Sequence, residues 1–172
     1  MASFGDRLIG AAKLDVRTYE DVEHDSGAMG QAIGVVVLSS LAAGVAATTW
    51  GGGASVIAGI FGALIGWLAW AWITYFIGTR VLPMPQTRAN WGQLLRTTGF
   101  ASAPGILRIL AVIPLLGWLV YFIVAIWMLA AFVVAVRQAL DYTSTLRAVG
   151  VCLIGWVFYA IISVALVALF RF

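Results

Sequence analysis

Residues 99–136 read GFASAPGILRILAVIPLLGWLVYFIVAIWMLAAFVVAV, and how this run is cut decides the architecture. Its 38 residues carry no charge apart from Arg108. A bilayer core about 30 Å thick needs roughly 20 apolar residues of helix, so the run is too long for one crossing and just long enough for two short ones. Pro114-Leu115-Leu116-Gly117 is the natural fold point, because proline removes a helix hydrogen bond and glycine permits a turn. Trp118 then falls at the interface, where amphipathic rings collect.

The same requirement cuts the rest of the chain. Apolar spans are expected at about 28–49, 54–78, 99–114, 117–136 and 148–169, which makes an all-α integral membrane protein with five transmembrane helices. Between the first two lies only Trp50-Gly51-Gly52-Gly53, a hairpin turn that makes them antiparallel neighbours. The 172 residues are 63% apolar and 10% charged, with a mean hydropathy of +1.03. A soluble domain carries about 25% charge, so a water-soluble fold is excluded. The single Cys152 cannot pair within the chain and the ten basic residues are scattered, which excludes a disulfide scaffold and a nucleic-acid partner. Nine of those ten are Arg, a usage suggestive of a GC-rich bacterial genome.

Orientation follows from Lys and Arg, which keep short loops on the cytoplasmic side. With five spans, Arg7, Lys13, Arg17, Arg80, Arg88, Arg96, Arg137 and Arg147 share one side and Arg171 stands alone on the other. The amino terminus is therefore expected in the cytoplasm and the carboxyl terminus outside, in a bacterial cytoplasmic membrane. Were 99–136 a single span, Arg137 and Arg147 would change sides and the asymmetry would weaken. The first apolar run is too long, and lacks the cleavage site, for a signal peptide, so it reads as an anchor.

The polar segments carry their own patterns. On a helical wheel Phe4, Leu8, Ala11, Ala12, Val16, Tyr19 and Val22 share one half of residues 1–27, while Asp6, Arg7, Lys13, Arg17, Glu20 and Asp21 share the other. This predicts an amphipathic helix on the membrane surface or against the bundle. Glu20, Asp21, Glu23, His24 and Asp25 form an acidic group with the one histidine, but adjacent carboxylates on a short segment ordinarily face water, and no metal or cofactor is expected. In the second polar segment Pro83-Met84-Pro85 is rigid, and Trp91, Leu94, Leu95 and Thr98 fall opposite Asn90, Gln93 and Arg96, as in a helix parked at the interface.

Trp91-Gly92-Gln93-Leu94-Leu95-Arg96, then Gly99-Phe100-Ala101-Ser102-Ala103-Pro104, the Pro114 hairpin, Ala135-Val136-Arg137-Gln138-Ala139-Leu140 and Thr145-Leu146-Arg147-Ala148 occur in an order that resembles the bacterial branch of the Yip domain family, the Ypt-interacting membrane proteins. Leu14-Asp15-Val16-Arg17-Thr18-Tyr19 looks like that family's lead-in to the first span. The resemblance implies five spans and a cytoplasmic amino terminus, and it transfers no catalytic residue. The Asp-Leu-Tyr-Gly-Pro element of eukaryotic members is absent, so their link to vesicle traffic is not carried over.

Arg108 is the sharpest single feature, a charge within a span. Such a charge is expensive and faces a partner, a water-filled cavity or, by snorkelling, the head groups. Asp141, the amino-terminal carboxylates, backbone carbonyls freed by Pro104 and a lipid phosphate are its candidate partners. Small residues at four-residue spacing, including Gly30 and Gly34, and Gly59 and Gly62 with Gly66, suggest close helix packing in the first hairpin or a homodimer. Trp67 and Trp70 share a helix face and Trp72 points elsewhere, so no aromatic cage follows. There is no zinc-protease, serine-hydrolase or nucleotide-loop motif, and no pair of intramembrane aspartates.

An enzyme is therefore not expected. The pattern points to a protein that acts by binding, as a scaffold, assembly factor or accessory subunit of a membrane complex. Residues 1–27, 79–98 and 137–147 would face a membrane-protein partner, a second copy or the membrane lipids, with Arg88, Trp91, Arg96, Arg137 and Arg147 as the candidate surface. The alternative is a subunit of a small-solute or ion pathway, for which the polar content of the spans is poor.

Overall fold

The computed structural model describes residues 2–49, 56–87, 89–113 and 115–169, with side chains as far as residue 161. The order is α1 (Phe4–Ala12), α2 (Val16–His24), a 3-10 turn (Ser26–Ala28), α3 (Met29–Thr48), α4 (Val56–Phe76) continued by a π turn (Ile77–Val81), α5 (Trp91–Phe100), a 3-10 segment (Ala103–Val112), α6 (Gly117–Ala139) and α7 (Thr145–Leu169). Among the described residues no strand occurs. Three helices, Ser26–Thr48, Val56–Val81 and Gly117–Ala139, are long and apolar enough to cross a membrane, and Thr145–Ile161 is a shorter apolar stretch of α7.

The amphipathic helix expected over residues 1–27 is two helices. Ser3 and Asp6 form a reciprocal capping box at the start of α1, and Asp15 caps α2 by accepting from the Arg17 amide. Leu14, at φ 63°, turns the chain between them. The pair packs against the bundle, burying Ala11, Tyr19 and Val22 in a core with Ala32, Val35, Phe100 and Ala135. Tyr19 donates its hydroxyl proton to the Ala11 carbonyl at 3.1 Å, and Trp127 of α6 donates its indole N–H to the Ala12 carbonyl at 2.7 Å.

The third expected span, 99–114, is not one α-helix. The helix begins earlier, at Trp91, where Asn90 and Gln93 form a second capping box. It ends at Phe100, and after Ala101 and Ser102 the chain winds on as a 3-10 helix for ten residues. Such runs rarely exceed three or four residues. Pro104 stands in its first turn with no N–H to give, and Leu115, at φ 70°, turns the chain back into α6. The helix parked at the interface is also corrected, because every residue from Leu94 to Gly105 is buried. Trp50–Gly53 and Pro114, where turns were expected, lie outside the described residues.

Close approach is centred on this broken passage, which packs most extensively against α3. A Cβ built on Gly99 would lie 2.8 Å from the Cβ of Ala32 and 3.2 Å from its carbonyl oxygen, and one on Gly105 would collide with Ser39. Of the glycines in the expected packing rows, a Cβ built on Gly30, Gly34, Gly59 or Gly62 would meet nothing within 4 Å among the described residues, whereas one on Gly66 would lie 2.9 Å from the Tyr159 hydroxyl. Four-residue spacing takes no account of which face turns inward, so it missed the close approaches at Gly99 and Gly105, and a row that faces outward is left to the homodimer alternative. Gly99→Leu is therefore expected to lower the thermal midpoint in mild detergent, at a cost of about 1–3 kcal/mol of overpacking. Gly62→Leu should melt like wild type as a monomer, and equal losses in both variants would refute this assignment.

Candidate functional site

Two places concentrate polar chemistry. The first is one end of the bundle, where three polar segments distant in sequence are tied together. Arg7 is 3% exposed and donates from Nε to Asp21 at 2.8 Å, from Nη2 to Asp25 at 2.7 Å and from Nη1 to Gln31 at 3.1 Å. These bonds staple α1, α2 and the start of α3. Burial works to lower the Arg7 pKa, but the bonds to Asp25 and Asp21 outweigh it and raise it. Arg7 in turn holds the Asp25 carboxyl below the usual range. Two carboxylates of the acidic segment, Asp21 and Asp25, thus pair with this arginine while staying partly open to water, as Glu20 and His24 are, and among the described residues no group of three or more His, Cys, Asp or Glu is placed to hold a metal.

Arg96 is 8% exposed, so it is a buried fastener and not the surface cation expected. Its Nε donates to the Val22 carbonyl at 2.9 Å, and its Nη2 donates to the Glu23 carbonyl. Tyr142 bridges the other two segments, its hydroxyl shared between the carbonyls of Gly78 at 2.9 Å and Leu82 at 2.7 Å. The π turn brings Gly78 close enough to Leu140 that a Cβ there would collide with it. Arg147, exposed, donates to the Pro83 carbonyl at 3.1 Å, and Arg137, half-buried, to the Tyr142 carbonyl at 3.2 Å. Trp91 is half-buried with its ring edge-on to Tyr75. Arg88 lies outside the described residues.

Glu23 sits 4% exposed within this end. Burial pushes its carboxyl up to about 7, opposed by His24 and Arg96 and reinforced by Asp141 and Glu20. A carboxyl whose folded pKa is raised stabilises the fold least when it is ionised. The stability it allows is complete below its ordinary value near 4.5 and is lost as pH rises towards about 7. The thermal midpoint is accordingly expected to fall between pH 5 and pH 8, and to fall less in Glu23→Gln; parallel profiles would refute it. Arg7→Met should cost about 1–3 kcal/mol, read as a lower midpoint, since Asp21 and Asp25 are exposed enough to rehydrate. No loss would mean that the staple is idle.

The second place is a cavity of about 770 Å³ inside the bundle. Among the described residues Arg108 is the one charged side chain on its wall, with apolar and aromatic neighbours that include Trp67, Trp70 and Phe132. Its guanidinium lies over the Tyr121 ring, 5.9 Å from the centroid, and its Nε is buried without a hydrogen-bond partner. Asp141, one of the candidate partners read from the sequence, is exposed in a left-handed turn (φ 52°) at the polar end and forms no pair with it. Snorkelling towards that end is also overturned, because Arg108 lies level with Tyr121, four residues and about 6 Å from the far end of α6. A cation–π contact contributes about 0.5–2 kcal/mol, and it leaves the buried Arg108 Nε without an acceptor. Tyr121 alone therefore does not balance the charge.

The model of the Yip1 domain matches residues 18–168, from α2 to the last turns of α7. The chain belongs to the Yip1 domain family. No curated protein and no solved structure matched it. The resemblance read from the sequence is therefore correct at the level of the family, and with the apolar helices it makes this a membrane protein. The Yip1 match takes in Asp21, Asp25, Gln31, Arg96, Arg108 and Tyr142, while Arg7 precedes it. The sequence pointed to Arg108 through its isolation in an apolar run. It did not point to Arg7 or Tyr142, whose partners are set by tertiary folding alone.

Proposed function

We propose that this Yip1 protein acts by binding, without catalysis, as a scaffold, assembly factor or accessory subunit of a membrane complex. The observation that carries the reading is the polar end. Residues from α1 and α2, the 77–90 link and the 140–147 link are cross-tied by Arg7, Arg96, Tyr142 and Arg147 into one ordered surface. A link serving only to join helices needs no such fastening, whereas a docking surface gains affinity from being preorganised. Lys13, Arg17, Arg80, Arg137 and Arg147 gather at that end; its carboxylates nearly balance them, but Lys and Arg rather than net charge set orientation, and their gathering favours its placement on the cytoplasmic side of a bacterial inner membrane.

A five-passage topology is part of this proposal. Ten residues of α5 rise about 15 Å, and ten of 3-10 helix about 20 Å, so together they reach across a core of about 30 Å. The polar segments around α2, the 77–90 link and the 140–147 link share one end, which supports an even number of passages between successive segments. The pathway reading is kept as second because the Arg108 cavity lies within the bundle.

The test is to purify the protein from its native membrane under mild conditions and identify stoichiometric companions by mass spectrometry. The expected result is a defined membrane-protein companion whose recovery falls about tenfold when Arg137 and Arg147 are both changed to Glu, a loss of about 1.4 kcal/mol. A homogeneous preparation with no companion, active in solute flux when reconstituted, would overturn it in favour of the pathway.

A further inference from the structure

The cavity around Arg108 is separate from the polar end and has its own logic. Along α4 its wall runs from Val56 to Trp70, 14 residues apart, so it extends about 21 Å down the bundle. Exposed residues of α4 and α7, Gly59 and Trp156 among them, form its rim, so it opens sideways between these helices where hydrocarbon lies. Its volume of about 770 Å³ falls in the range of sites for small amphiphilic ligands. Its one charge among the described residues, Arg108, sits about one helical turn from the end opposite the polar surface, which in the proposed five-passage topology is where the head groups of that leaflet begin. Among the described residues no carboxylate lines the cavity, and the buried Nε of Arg108, which lines it, is a donor without an acceptor. A long apolar slot with a cation near its mouth and an unmet donor complements one kind of molecule.

We propose that this cavity binds a single anionic phospholipid from the surrounding leaflet, its phosphate on Arg108 and one hydrocarbon chain in the slot between α4 and α7. Charge complementarity selects the phosphate, because a guanidinium binds it through charge-assisted, often paired, hydrogen bonds. The apolar wall selects a molecule that brings its own chain. The lateral opening selects a ligand that arrives through the bilayer rather than from water.

The experiment uses the full chain reconstituted in vesicles of equal parts phosphatidylglycerol and phosphatidylcholine, extracted gently and weighed by native mass spectrometry. One phosphatidylglycerol per chain is expected, with a preference of about tenfold over phosphatidylcholine. Arg108→Leu should abolish that preference, and Arg108→Lys should retain part of it. Gly59→Leu, whose new side chain enters open space at the rim, should reduce retention of both lipids. Equal retention of the two lipids by wild type, or a preference unchanged in Arg108→Leu, would overturn the assignment. Displacement by inorganic phosphate or glycerol phosphate would overturn the bilayer as source. Should Arg108→Leu fail to fold, quenching of wild-type tryptophan fluorescence by chain-brominated lipids decides the matter. Brominated phosphatidylglycerol at trace levels is expected to quench more than brominated phosphatidylcholine, through Trp67, Trp70 and Trp156 on the wall, and equal quenching would refute the proposal.

Discussion

Hydrocarbon offers no partner to a backbone N–H or C=O, so each such group within the bilayer has to be satisfied by the chain itself. That constraint shapes the part of this protein that looks least regular. Between Phe100 and Gly117 two prolines forbid an uninterrupted α-helix, and the chain answers with a long 3-10 helix that keeps local hydrogen bonds and covers more length per residue. Gly99 and Gly105 then let α3 lie against it closely. The surrounding helices α3, α4 and α6 are ordinary by comparison, and their exposed Leu, Ile and Phe side chains are what lipid requires of them.

The fold was legible in the sequence wherever composition alone decides. The apolar runs that became α3, α4 and α6 were placed to within a few residues, and the order of motifs from Trp91 to Ala148 pointed to the Yip1 family. Periodicity failed where tertiary partners override it. Arg7 sits on the charged half of a helical wheel, yet it is buried because Asp21, Asp25 and Gln31 converge on it. Arg96 was assigned to a polar face by the same reasoning, and that face is turned to the carbonyl end of α2. A helix around Trp91–Thr98 was read from its two faces, but the capping box of Asn90 and Gln93 went unread, and the apolar stretch after it concealed where α-helix gives way to 3-10.

The candidate sites divide along the same line. Arg108 stood out because one charge in 38 residues needs no structure to be noticed. The slot beside it is assembled from every passage of the bundle, and no local pattern announces a cavity shared by α3, α4, α6 and α7. Arginine plays two roles here that composition does not separate. Arg7 and Arg96 spend their donors inside the protein, whereas Arg108 keeps a buried Nε unpaired.

The bonds that seat α1 and α2 also set a schedule for biosynthesis. The carbonyls of Val22 and Glu23 wait for Arg96, and that of Ala12 waits for Trp127, more than a hundred residues downstream. Translation proceeds from the amino terminus, so the first two helices leave the ribosome long before their anchors exist. Made well before its anchors, this segment is therefore among the last to reach its final place, and until α6 has been inserted it is free to meet whatever escorts the growing chain.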